Sequence, residues 1–190
     1  MQIPLALANR YRRLFRFYDR DRDGVHSLAG DFTAVAHRIH ARWGDRPTPV
    51  PELLDVLLKT YSHEHQRRDR DGSGSVDLEE FIDSHARVIA AFHAEPQQAR
   101  RFIAMAAGGF FDVLDLDGDG VLQPADLEAF AAAYDHPPEG ITANLNTMLA
   151  ELDLPPDRLP RQAFLLLVEQ FWFDPSPTTP GRRLFDGVPL

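Results

Sequence analysis

Residues 69–80 read DRDGSGSVDLEE, and the spacing of their oxygens decides how the rest of the chain is read. A hard dication such as calcium takes six to eight oxygen ligands at about 2.3 to 2.6 Å, and a twelve-residue loop can wrap one when oxygens fall at positions 1, 3, 5, 7, 9 and 12. Here those positions hold Asp69, Asp71, Ser73, the Ser75 carbonyl, Asp77 and Glu80. Gly74 at position 6 allows the sharp turn, and Val76 at position 8 is apolar, as suits a residue that pairs backbones with a neighbouring loop and points into a core. Glu80 is long enough to offer the ion both of its oxygens.

The stretches on either side are helical. Leu53, Leu54, Leu57, Leu58 and Tyr61 lead in, and Phe81, His85, Val88, Ile89 and Phe92 lead out, at the three- and four-residue spacing of a one-sided helix. The same helix, loop, helix unit recurs along the chain. Residues 115–126, DLDGDGVLQPAD, supply Asp115, Asp117, Asp119, the Val121 carbonyl, Gln123 and Asp126, with Gly120 at the turn and Leu122 at position 8. Phe102, Met105, Phe110, Phe111 and Leu114 precede this loop; Leu127, Phe130 and Tyr134 follow it. Its closing Asp126 is shorter than Glu80 and reaches an ion less readily with both oxygens, so weaker calcium affinity or greater magnesium tolerance is expected here.

Residues 19–31, DRDRDGVHSLAGD, begin correctly with Asp19, Asp21, Asp23 and Gly24, between Leu7–Tyr18 and Phe32–Ile39. A twelve-residue count ends on Gly30, which has no side chain to give. Asp31 stands one place later, and Phe32 follows it as Phe81 follows Glu80. A one-residue insertion within 25–30 would leave Asp31 as the closing carboxylate, while Arg20 and Arg22 put positive charge beside the ion. A fourth unit, aligned on Phe164, has its loop at 152–163 with Leu152, Leu154, Pro156, Asp157, Arg158, Leu159, Pro160 and Ala163 at its key positions. Asp157 alone cannot hold a cation, so this unit is expected to be degenerate and to pack against the third. Pro47, Pro49 and Pro51 break the chain between the first and second units.

Composition narrows the functions available. The chain has 190 residues, 44% of them apolar, which is enough for a sizeable core. Its formal net charge of −9 disfavours partners held by a phosphate backbone, so neither nucleic acid nor an anionic membrane is expected. With no cysteine, disulfides, thiolate zinc sites and cysteine nucleophiles are excluded. The eight histidines include the pairs His63/His65 and His37/His40, but neither has the four-residue helical spacing of a zinc clamp, and they read as surface or helix-end residues. No catalytic motif is present, and binding rather than catalysis is expected.

The acidity is local. Segments 19–31, 69–80 and 115–126 carry net charges of −2, −4 and −4, leaving the remaining chain at +1.

These loops resemble EF-hands, and the four-unit arrangement with a degenerate last unit is similar to the sarcoplasmic calcium-binding proteins and their bacterial relatives of the calerythrin type. The ending VEQFWFDPSPTTPGRRLFDG, Val168 to Gly187, resembles that of the actinobacterial members. The resemblance implies an all-α fold of four helix-loop-helix units in two paired lobes, residues 1–95 and 96–173, with a tail at 174–190 packed on the body. The loops themselves lead us to expect two or three bound calcium ions, with magnesium as competitor. The lack of cysteine and of a membrane-length apolar stretch leads us to expect a cytoplasmic protein, read as a monomer. A calcium buffer or store is the expected role, since only three methionines are available to line a target groove. The alternative is a sensor that grips a target protein when loaded.

Overall fold

The computed structural model describes residues 3–43 and 53–190; the proline break at 47–51 lies outside them. Among the described residues there are eight α-helices: α1 Leu5–Tyr18, α2 Ala34–Trp43, α3 Leu53–Arg68, α4 Leu78–Ala94, α5 Pro96–Leu114, α6 Pro124–Ala133, α7 Ile141–Glu151 and α8 Arg161–Phe173. Four two-residue strands lie between them: β1 His26–Ser27, β2 Ser75–Val76, β3 Val121–Leu122 and β4 Leu159–Pro160. The fold class is mostly helical, as expected.

Loop chemistry fixes the helix ends. The incoming helices α1, α3 and α5 stop where Asp19, Asp69 and Asp115 donate their backbone N–H to Phe15, His65 and Phe111, each at 2.9 Å. The outgoing α4 starts on a reciprocal cap in which Glu80 N–H donates to Asp77 Oδ1 (2.8 Å) and Asp77 N–H to Glu80 Oε2 (3.3 Å). Candidate ligands thus also satisfy the orphan donors of the helix start. Pro96 and Pro124 occupy the first turns of α5 and α6, where a missing N–H costs little.

The strands join the loops in pairs. β1 runs antiparallel to β2 with His26 opposite Val76, and β3 antiparallel to β4 with Leu122 opposite Leu159. Each of these residues is buried and stands at position 8 of its loop. The core crosses from one half of the sequence to the other: Phe17 of α1 stacks on Phe130 of α6 at 5.7 Å, and Tyr134 Oη–H donates to Tyr61 Oη at 3.1 Å. After α8, Leu184, Phe185 and Val188 turn back on this core, with Phe185 4.9 Å from Phe17 and 5.4 Å from Phe171 between ring centres.

Two sequence expectations need correction. Of the two histidine pairs read as surface or helix-end residues, His65 is buried; His26 and His136 are buried too, as is His85 on the apolar stripe of α4. His26 lies flat on Phe15 at 4.1 Å, and His85 is sandwiched between Tyr11 (4.8 Å) and Trp172 (4.7 Å). One ring nitrogen of each meets a main-chain carbonyl, His26 Nε2 that of Phe15, His85 Nδ1 that of Phe81 and His136 Nε2 that of Phe17, while Nδ1 of His26 and of His136 is buried without a partner. Phe102 and Met105 continue the apolar pattern of α5 but are 64% and 68% exposed. Only the later part of α5, with Ala107, Gly108, Phe111 and Leu114, is buried.

Candidate metal centres

The three acidic loops share one wiring scheme. At position 6 the N–H of Gly24, Gly74 and Gly120 donates to the position-1 carboxylate of Asp19 (3.2 Å), Asp69 (3.0 Å) and Asp115 (2.9 Å). These glycines have φ of +88°, +86° and +82°, which explains their requirement at the turn. The closing carboxylate spans the loop in each case. Glu80 accepts from Arg70 N–H (2.7 Å) and Asp77 N–H (3.3 Å), and Asp126 from Leu116 N–H (3.1 Å) and Gln123 N–H (2.7 Å). Asp31 accepts from Arg20 N–H (2.8 Å) and Ser27 N–H (2.7 Å).

Asp31 therefore stands where Glu80 and Asp126 stand. The extra residue is absorbed after Ser27, in a π-helical segment, Leu28–Thr33, which carries one more residue per hydrogen-bonded ring than an α-turn. Gly30 fits there because a side-chain carbon would meet Ser27 Oγ at 2.7 Å and Asp21 Oδ2 at 2.8 Å. Ser27 takes the position-9 place of Asp77 and Gln123. The sequence did not reveal it, because the insertion left the register of 25–30 open.

Carboxylate oxygens come together in all three loops. Asp19, Asp21 and Asp31 bring oxygens within 4.8 Å of one another, as do Asp69, Asp71 and Glu80, and Asp115, Asp117 and Asp119. Asp23 instead accepts from Val25 N–H at 2.9 Å, and Ser73 Oγ–H donates to the Ser75 carbonyl at 3.1 Å. Val121 N–H donates to Asp119 Oδ1 at 2.8 Å, and Gln123 Nε2–H to its other oxygen at 3.4 Å.

Electrostatics favour a cation. Burial, the largest cause, raises the pKa of Asp19, Asp31 and Asp126, and neighbouring carboxylates raise each further. Asp19 Oδ1 is buried and has no hydrogen-bond partner. A buried carboxylate oxygen left without a donor costs free energy that a hard cation would recover, so this donor set fits calcium.

In the fourth loop, Asp157 exchanges two hydrogen bonds with Asn146, at 2.9 and 2.8 Å. Arg158 of that loop lies 3.9 Å from Asp119 and opposes positive charge in the third site.

The first loop carries one strained residue. Position 4 is left-handed in all three loops, but Gly72 and Gly118 (φ +71° each) are replaced by Arg22 at φ +61°. A non-glycine residue there costs about 1 kcal/mol, and this one adds like charge beside a cation. Arg22→Gly is expected to raise the calcium affinity of the first loop by about fivefold or more, read by calorimetric titration.

Paired helix-loop-helix segments whose loops converge carboxylates in this way are the arrangement of the EF-hand fold. The EF hand family model matches residues 67–83 and 109–131, which contain the second and third loops. The probable calcium-binding protein CML21 of Oryza sativa subsp. japonica is 29% identical over 150 residues, covering 76% of this chain and 70% of that one. Among solved structures, an apo-aequorin complex with (S)-HM-daCTZ aligns with a TM-score of 0.71 at 15% identity, over 97% of this chain and 93% of its own. A sarcoplasmic calcium-binding protein from amphioxus aligns with a TM-score of 0.63 at 16% identity, over 97% and 98%. These likenesses show the EF-hand fold, and with the family match they support calcium binding through its loops.

Proposed function

We propose that the protein binds three calcium ions reversibly and acts as a calcium buffer or store. The observation that carries this reading is the wiring common to the three loops, in which one carboxylate organises the turn and another closes the loop. The second loop would hold its ion through Asp69, Asp71, Ser73, the Ser75 carbonyl, Asp77 and Glu80. The third would use Asp115, Asp117, Asp119, the Val121 carbonyl, Gln123 and Asp126. In the first, Asp19, Asp21, Asp23 and Asp31 would act, with Ser27 at the ninth position. Bound calcium supplies positive charge that offsets the mutual repulsion of these carboxylates, so the loops and their flanking helices tighten together.

The buffer role draws support from the returning tail. Phe185 and Val188 occupy core space that a sensor would keep for a target. Exposed Phe102 and Met105 favour the sensor reading instead. Fluorescence of a dye specific for exposed apolar surface separates the two: calcium leaves it nearly unchanged for a buffer and raises it strongly for a sensor.

The shorter closing residue of the third loop gives a direct prediction. Asp126→Glu is expected to raise calcium affinity there about tenfold and to weaken competition by magnesium, which demands a tighter octahedral shell. Calorimetric titration of the variant with and without magnesium checks both effects.

A further inference from the structure

Between α1 and the C-terminal segment lies a cavity of about 370 Å³, within the usual range for small-ligand sites. It is lined by Arg10, Arg12, Arg13, Arg16 and Arg182, and Asp186 is the only acidic side chain among its lining residues. In a chain of net charge −9 this concentration of arginine is local and strongly positive.

Three of the arginines are held in place. Arg10 is buried and donates to the carbonyls of Gln170 (2.9 Å), Asp174 (2.6 Å) and Ser176 (3.0 Å), with no carboxylate among its hydrogen-bond partners. Arg13 donates to the carbonyls of Phe185 and Val188, each at 2.8 Å, and meets Asp186 at 3.4 Å. Arg182 donates to the Thr179 carbonyl (2.6 Å) and pairs with Glu151 (2.9 Å). Burial, foremost, and the nearby Arg182 disfavour the charged form of Arg10, while Asp174 and Asp186 favour it. Arg12 and Arg16 stand one turn apart on α1. Arg12 contacts Asn9 Oδ1 at 3.0 Å, and among the described residues neither arginine forms an ion pair.

We propose that this cavity binds a small phosphorylated anion, with Arg12 and Arg16 closing on phosphoryl oxygens above the fixed guanidinium groups of Arg10, Arg13 and Arg182. Guanidinium forks match phosphoryl oxygens in pairs, and an anion with two or more charges is needed to balance so many cations. A single carboxylate would balance one. The site is independent of the calcium loops and does not rest on their assignment.

Pyrophosphate titrated into the calcium-free full chain by calorimetry tests this, since no metal is then present to chelate the probe. Saturable binding is expected, weakened about tenfold or more by the double substitution R12A/R16A. Neither side chain holds the tail, so that variant should keep its circular dichroism and melting temperature. Asp186→Asn, which removes the acid from the cavity, should tighten binding severalfold, an effect that damaged folding cannot mimic. Absence of saturable binding at low millimolar pyrophosphate would overturn the proposal, as would binding that R12A/R16A leaves unchanged. A lipid headgroup presents the same chemistry. Co-sedimentation with anionic phospholipid vesicles, without pyrophosphate binding, would also overturn the soluble ligand.

Discussion

Calcium is expected to raise the melting temperature of the protein by some 10 to 20 °C relative to chelator. At a hundredfold over its dissociation constant an ion that binds only the folded state adds about 2.7 kcal/mol, so even the second and third loops alone add about 5 kcal/mol. For a chain of this length each kcal/mol moves the transition by about 2 to 4 °C. The effect is large because the empty state is poorly satisfied: segments 69–80 and 115–126 each carry −4, and Asp19 Oδ1 is buried without a donor. Calorimetric scans in calcium and in chelator measure the difference directly. Equal melting temperatures would contradict the proposed function.

Acid should be the second strong perturbation, acting through the buried histidines. Burial is the main cause lowering the proton affinity of His26, His85 and His136, and His26 is pushed down to about 4. Once unfolded, a histidine titrates near about 6.5, so in this range the unfolded chain binds more protons. The neutral rings therefore contribute stability that is fully present above about pH 6.5 and is lost as pH falls through the window towards 4. For His26 alone the loss is on the order of 3 kcal/mol. Asp19, Asp31 and Asp126 act in the opposite sense in calcium-free protein, because a proton on these carboxyls relieves first the cost of burying their charge and then repulsion within the loops. Urea unfolding of the calcium-free chain at pH 7.5 and pH 5 is expected to show a clear drop in midpoint at the lower pH. His85→Phe, which keeps an aromatic ring between Tyr11 and Trp172, should reduce that drop. A midpoint independent of pH would mean that these rings are not held neutral by burial.

The all-helical fold and the acidic loops were legible because a hard cation demands particular residue types at particular spacings. Asp69, Gly74, Val76 and Glu80 each answer a separate requirement, and the surrounding apolar periodicity supplies the helices. The place of the extra residue in the first loop was not legible. Positions 25–30 contain no mark that distinguishes insertion before Ser27 from insertion after it; the pairing of His26 with Val76 and the hydrogen bonds from Arg20 and Ser27 to Asp31 fix the register.

His85 stood on the legible apolar stripe of α4, but burial of His26, His65 and His136 was hidden, since it depends on which groups face each other across the fold. His26 did carry a signal: it occupies position 8, where Val76 and Leu122 are apolar. Phe102 and Met105 misled for the opposite reason. Their spacing continues the stripe of α5 beyond the part of the helix that its neighbours cover. The arginine cavity was not legible, because Arg182 and Asp186, which complete the wall begun by Arg10, Arg12, Arg13 and Arg16, are supplied by the far end of the chain.

The most direct measurement of the central claim is a calorimetric calcium titration of the full chain in the presence of magnesium. The predicted result is saturable binding of three ions, with heats assigned to each loop by Asp19→Ala, Asp69→Ala and Asp115→Ala, each removing one ion. A titration without saturable heat, or a stoichiometry that none of these substitutions lowers, would contradict it.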